Sequence, residues 1–201
     1  MRDRAAADAP EGRSIPGVRI VSQMRATQRT AFRRIVAWLI DWACILGWVG
    51  VTAAIGVPLY RAGLLRPSGF ATLNLLATLV VVVPAVLACA ALEAGQRGAT
   101  IGKRVLGLRV RSDGHVVGFP QALIRNTIKI GIPWILGHAA VYAWTFSSAG
   151  GQWSARTAVV LTVLAYVLPI AYLVGLFIRT GRTLYDVAAR TTVGPVESAG
   201  G

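Results

Sequence analysis

Phe70-Ala-Thr-Leu-Asn-Leu-Leu-Ala-Thr-Leu-Val-Val-Val-Val-Pro-Ala-Val-Leu-Ala-Cys-Ala-Ala-Leu92 contains no charged residue. It sits within an uncharged interval of 26 residues between Arg66 and Glu93. A helix needs about 20 mostly apolar residues to cross the hydrocarbon of a bilayer. Three more intervals meet that length. Between Arg34 and Arg61 the only charge is Asp41, and none occurs between Lys129 and Arg156 or between Arg156 and Arg179. The reading is an all-α membrane protein, a bundle of four transmembrane helices over about 35–57, 70–92, 130–146 and 157–178. The third is the weakest, because Gly131, Pro133, Gly137 and His138 interrupt it. A re-entrant or tilted segment is its alternative.

Composition excludes the other classes. The 201 residues are 55% hydrophobic and 14% charged, with a mean hydropathy of +0.59. Soluble domains carry about 25% charged residues, and disorder requires low hydrophobicity. The formal net charge of +13 would suit a nucleic-acid partner, but the apolar content does not. No signal peptide is read, since the first apolar stretch starts at residue 35 and contains an aspartate.

The basic residues give an orientation. Eighteen lie before the first span, between the second and third, or after the fourth, and three lie in the other two loops. The positive-inside rule then places both termini in the cytoplasm of a plasma-membrane protein. Residues 1–31 read as a disordered basic tail, residues 32–193 as the membrane domain and 194–201 as a disordered C-terminal tail. The tail's expected partner is the anionic inner leaflet, at about 1 kcal/mol per basic residue. A solvated tail that only enforces topology is the alternative.

The loop at 93–129 carries the remaining motifs. Gly102-Lys103 invites a phosphate-loop reading, but Arg97 and Arg104 occupy positions that need glycine and serine or threonine. Asp113-Gly114 marks the turn of a short β-hairpin. Pro120 suits the first turn of an interfacial helix. Leu123 and Ile124 would dip into lipid, with Arg125 and Lys129 snorkelling outward. Cys44 and Cys89 differ in depth by roughly 9 Å, too far for a disulfide. Two cysteines and two histidines make no metal set, and no cofactor is expected.

Four blocks together resemble the RDD family of small multi-pass membrane proteins. They are Arg34-Ile-Val-Ala-Trp-Leu-Ile-Asp41, Gly98-Ala-Thr-Ile-Gly-Lys-Arg-Val-Leu-Gly-Leu-Arg-Val110, Ala122-Leu-Ile-Arg-Asn126 and Arg182-Thr-Leu-Tyr-Asp186-Val-Ala-Ala189. The resemblance covers most of 32–193. The arginine and two aspartates of the family's name would correspond to Arg34, Asp41 and Asp186. Tyr185 stands where such proteins often have histidine, and Ala189-Arg190-Thr191 replaces a more usual Ala-Gly-Thr. The resemblance implies a membrane fold and, for some members, transport of ions or small solutes.

Each candidate residue has two readings. Arg34 and Asp41 are seven residues apart and share a helix face, about 10 Å apart along the axis. Asp41 is either a proton or cation site or a polar clamp, with Tyr172 or His138 as the expected neighbour and Lys129 or Arg179 reaching down. Glu93 pairs either with Arg97 four residues on or with Lys103 in a network that includes Arg34 and Asp186. Asp186 otherwise caps a short helix after Thr183. Arg125 and His138 are supporting polar candidates, and His138 reads as packed or as a proton relay. Three function classes follow. One is a transporter, which with so few helices would need to form a homo-oligomer. The second is an accessory protein whose cytoplasmic loop docks a partner. The third, a membrane enzyme, lacks any catalytic set, so no enzymatic activity is expected.

Overall fold

The computed structural model describes residues 16–66, 69–148, 154–178 and 181–196. Helix α1 (Pro16–Arg61) is followed by α2 (Phe70–Ala77) and α3 (Val83–Ala94), which a π-helical turn at Thr78–Val82 joins into one rod. After a short α4 (Ile101–Val105), strands β1 (Leu108–Ser112) and β2 (His115–Val116) form a hairpin. Helix α5 (Phe119–Asn126) then continues through a second π turn, Thr127–Gly131, into α6 (Ile132–Ser148). The described part closes with α7 (Ala155–Phe177), α8 (Leu184–Ala188) and β3 (Thr192–Pro195). Among the described residues, three stretches are long and apolar enough to cross a membrane: Thr27–Arg61, Thr72–Ala94 and Ala155–Phe177.

The distribution of residues is that of a membrane protein. Large apolar side chains such as Leu46, Ile55, Leu79, Val141 and Val167 are exposed, while Arg34, Asp41, Glu93, Lys103 and Arg125 are buried. Hydrocarbon solvates the outer face as well as a protein core would, so helix association there rests on close packing of small residues. Ala90, Ala122, Ala143 and Ala158 are fully enclosed accordingly, and α6 and α7 pack along much of their length.

Both π turns precede a proline, and both are tied by an aromatic donor from another helix. Pro84 has no N–H, and its ring crowds the carbonyl four residues back, that of Val80. The Trp48 indole of α1 donates to that carbonyl at 3.0 Å. In the second turn Ile132 N–H reaches Thr127 in the five-residue pattern. The next donor in that pattern would be Pro133, which has none. The Ile128 carbonyl instead accepts from the Tyr172 hydroxyl of α7 at 2.7 Å.

The three strands form one antiparallel sheet in the order β2-β1-β3. Asp113 and Gly114 both have positive φ, 49° and 83°, the twist that a two-residue hairpin prefers. β3 pairs Val193 with Val110 and Gly194 with Arg109. Under the sheet, Val110 and Val117 pack on Ala90 and Ala122.

Two boundaries differ from the sequence reading. Residues 16–31 continue α1 rather than forming a disordered tail, since Pro16 suits a first helical turn and no later proline interrupts the run until Pro58. Residues 1–15 lie outside the described part. Gly194 and Pro195 belong to β3 rather than to a tail, because β1 offers an open edge. Residues 197–201 lie outside the described part.

Arg190 adopts φ 52°, a left-handed conformation that side chains resist and glycine accepts. Its side chain is exposed. Relief of about 1–2 kcal/mol of left-handed strain, less the chain entropy that glycine adds, should make Arg190→Gly more stable by about 0.5–1 kcal/mol, read as a higher melting midpoint in detergent. An unchanged or lower midpoint would show that the turn carries no strain.

Candidate functional site

Residues distant in sequence meet where α1, α3, α4, α5 and α8 converge. Asp186, in the first turn of α8, is fully buried. It ion-pairs with Arg34, and one oxygen accepts from Arg125 Nε at 3.1 Å and Nη2 at 2.9 Å. Its other oxygen accepts from the Thr183 backbone N–H at 3.1 Å and the Thr183 hydroxyl at 2.8 Å. The helix-capping and ion-pair readings thus describe the same carboxylate. Arg34 also donates to the Gly181 carbonyl at 2.6 Å.

Arg125 joins the two halves of the network. Its Nη1 lies 2.5 Å from Glu93, which also accepts from Lys103 Nζ at 2.5 Å and Asn126 Nδ2 at 2.9 Å. The guanidinium lies over the Tyr185 ring, 5.2 Å from its centroid. Its planar fork can bond two carboxylates at once, which an ammonium cannot. Lys103 reaches the Thr100 hydroxyl at 3.2 Å, and that hydroxyl donates to Asp41 at 2.7 Å. The second Asp41 oxygen accepts from Gly102 N–H at 2.8 Å. The path Arg34–Asp186–Arg125–Glu93–Lys103–Thr100–Asp41 begins and ends on one face of α1.

Several sequence expectations change here. Arg125 and Lys129 turn inward, not outward; Ala122, Arg125, Asn126 and Lys129 form one buried face of the α5 rod, and Ile124 is exposed. That face must meet the acids on α3 and α8, whose burial needs cations nearby. Glu93 does not use Arg97, which is exposed. Asp41 meets Thr100 and Gly102 from the loop, not Tyr172 or His138. His138 stacks on Trp134 at 5.2 Å and faces its carbonyl at 3.1 Å. Arg179 lies outside the described residues. Thr100 and Asn126 carry no sequence signal beyond their places in the quoted Gly98–Val110 and Ala122–Asn126 blocks, and Gly102 enters the sequence reading only through the rejected phosphate loop. Cys44 and Cys89 are free.

Gly102 is the point of closest approach. A Cβ built there would lie 2.0 Å from the Ala37 carbonyl oxygen of α1. Only a residue without a side chain lets α4 rest on α1 and present its N–H to Asp41.

The network opens onto a cavity of about 940 Å³ between α1, α6 and α7. Arg34, Asp41, Lys103, Arg125 and Lys129 line it, and Trp38, Trp42, Trp134 and His138 form its aromatic wall. Trp42 stacks on Trp134 with centroids 5.4 Å apart. At the far end, Trp144 donates to Thr162 at 3.0 Å, tying α6 to α7.

Residues 29–190 match the model of the RDD family, so the match takes in the three-span core, the ring of charges and α8. This chain belongs to the RDD family. No curated protein and no solved structure matches it. As an RDD protein it is a membrane protein with apolar spanning helices.

Burial alone would raise the Asp186 carboxyl, but Arg125 and Arg34 outweigh it and hold the group at about 2. Burial pushes the Lys103 ammonium down to about 8, against the pull of Glu93 and with the push of Lys129 and Arg125. A depressed carboxyl gives stability that is present above its unfolded value near 4 and lost as pH falls through the folded value. The RDD protein should lose roughly 2 kcal/mol between about pH 4 and pH 2 through this group. Melting midpoints against pH would show it, with the slope flattened in Asp186→Asn. The same slope in both proteins would count against it.

Proposed function

We propose that this RDD protein is a four-span plasma-membrane protein, both termini cytoplasmic, that binds and moves a small solute through the cavity between α1, α6 and α7. The cavity is the observation that carries this reading. Support for the fourth span comes from length: the π turn and α6 together have 22 residues, about 33 Å of helix against about 30 Å of hydrocarbon. The split of basic residues supports the orientation. Exposed Ile101 and Val105 on α4, and Leu184 and Val187 on α8, support placing both short helices at the inner membrane interface. A homo-oligomer remains compatible with four spans, and no cofactor or enzymatic step enters the proposal.

Both oxygens of Asp41 are committed to α4, which favours the clamp over a proton or cation site. The test is flux across proteoliposomes over a panel of ions and solutes. Gly137 lines the cavity, and a Cβ there would meet nothing within 4 Å. Gly137→Phe should fold and lose flux. Asp41→Asn should fold and keep flux from about pH 5 to 8. Flux of Gly137→Phe equal to wild type would end the cavity reading, and loss of pH dependence in Asp41→Asn would restore the ion site. An engineered cysteine at Ser198 that reacts with an impermeant reagent from outside would reverse the topology.

A further inference from the structure

The charges around the cavity do not balance. Arg34, Lys103, Arg125 and Lys129 face Asp41, Glu93 and Asp186, which leaves one surplus cation. The surplus is Lys129. It is 8% exposed and lines the cavity, and among the described residues no hydrogen-bond or ion-pair partner reaches its ammonium. A buried ammonium without a counter-ion is costly. The Trp134 indole N–H on the same wall is also buried without an acceptor.

The missing anion cannot come from the described part of this chain. Its only other carboxylate is Asp113, exposed at the tip of the hairpin. A second copy docked on the cavity would bring another surplus cation and no available acid from those residues. The occupant must carry one negative charge. It must also suit an apolar, aromatic wall that leads away from Lys129 along α6 to Trp144. Those fifteen residues span about 22 Å, more than the roughly 15 Å of hydrocarbon in one leaflet. Along this path Val141, Tyr166 and Leu173 line the cavity and are exposed to the outside, so it opens sideways where the bilayer lies.

We propose that the cavity holds one monoanionic phospholipid of the surrounding bilayer, its phosphodiester against Lys129 and an acyl chain along the Trp42–Trp134 wall. The phosphodiester supplies the single charge the network lacks, and the non-bridging oxygens accept from the ammonium and the Trp134 N–H. A free phosphate would satisfy Lys129 and leave the aromatic wall empty. The proposal rests on the cavity being a binding site, and it makes the bound molecule a lipid rather than the small solute of the transport reading.

The test uses the full chain in micelles, titrated with phosphatidylglycerol or phosphatidylcholine carrying the same brominated acyl chains. Bromine quenches tryptophans that the chain touches. Both lipids bring the phosphodiester, but phosphatidylcholine also brings a trimethylammonium that leaves the surplus cation uncompensated, so wild type should bind the anionic lipid about tenfold more tightly. Lys129→Gln should bind the two lipids equally, and Lys129→Arg should keep the preference. Gly137→Phe should lose quenching above the micelle background with either lipid. The anionic lipid should raise the melting midpoint of wild type and not of Lys129→Gln. Without that lipid, Lys129→Gln should melt no lower than wild type, since it removes an uncompensated charge. Equal binding of both lipids by wild type would end the lipid proposal and leave the cavity reading in place. Displacement of the lipid by millimolar inorganic phosphate would transfer the site to a free anion. No quenching by either lipid, with a dimer by native mass spectrometry, would put a second copy in the groove and overturn both readings.

Discussion

Arg125→Met should lower stability by about 3–5 kcal/mol, the cost of removing one partner from a buried ion pair. Arg125 bridges Glu93 and Asp186, so its loss leaves Glu93 with Lys103 and Asp186 with Arg34, each carboxylate buried and short of a charged donor. Methionine nearly conserves volume, so packing is not the issue. Arg125→Lys keeps the charge and loses the fork; it should recover only part, because one ammonium cannot span both carboxylates. Adding Glu93→Gln to Arg125→Met removes the carboxylate left short of a donor and should recover a substantial share, since the two sites are coupled. Melting midpoints and monodisperse yield in detergent report all three. A midpoint for Arg125→Met equal to wild type would show that the ring does not hold the bundle together.

Gly102→Ala should cost about 2–4 kcal/mol, combining overpacking with a lost hydrogen bond to a buried carboxylate. The new methyl would lie 2.0 Å from the Ala37 oxygen and 2.8 Å from its carbonyl carbon. Those atoms belong to the backbone of a continuous helix and cannot rotate away. α4 must retreat, and Asp41 then loses the Gly102 N–H. Ala37→Gly should not rescue the variant, because the clashing oxygen stays. Gly137→Ala, which meets nothing, should be neutral apart from a slight gain in helix propensity. Rescue by Ala37→Gly would show that side-chain crowding, not carbonyl contact, sets the distance.

What the sequence disclosed follows from which forces act locally. Uncharged intervals of span length show themselves because hydrocarbon excludes charge wherever the segment lies. The Asp113-Gly114 turn shows itself because a tight hairpin needs positive φ at both residues. The convergence of Arg34, Glu93, Lys103 and Asp186 could be posed from their places at span ends. Its central member was misdirected: an amphipathic α5 has a polar face, and periodicity does not say whether that face meets water or buried acids. Those acids lie 32 residues before Arg125 and 61 after it. β3 was invisible for a similar reason, since Thr192-Val-Gly-Pro195 is too short to read as a strand without the edge of β1. The cavity is a gap among three helices, and no sequence pattern encodes a gap.

The order of the ring along the chain has a consequence for biogenesis. A ribosome delivers Arg34 first, then Asp41, Glu93, Lys103 and Arg125, and Asp186 only near the end. Glu93, Lys103 and Arg125 can pair as soon as α5 emerges, but Arg34 has no carboxylate in this ring until α8 is made. Chains emerge and fold from the N-terminus, so the nascent protein carries an open-ended set of charges through most of its insertion. Closure by Asp186 is thus the last electrostatic contact of the ring to become available. A chain stopped before residue 186 keeps its spanning segments yet leaves Arg34 without its carboxylate partner.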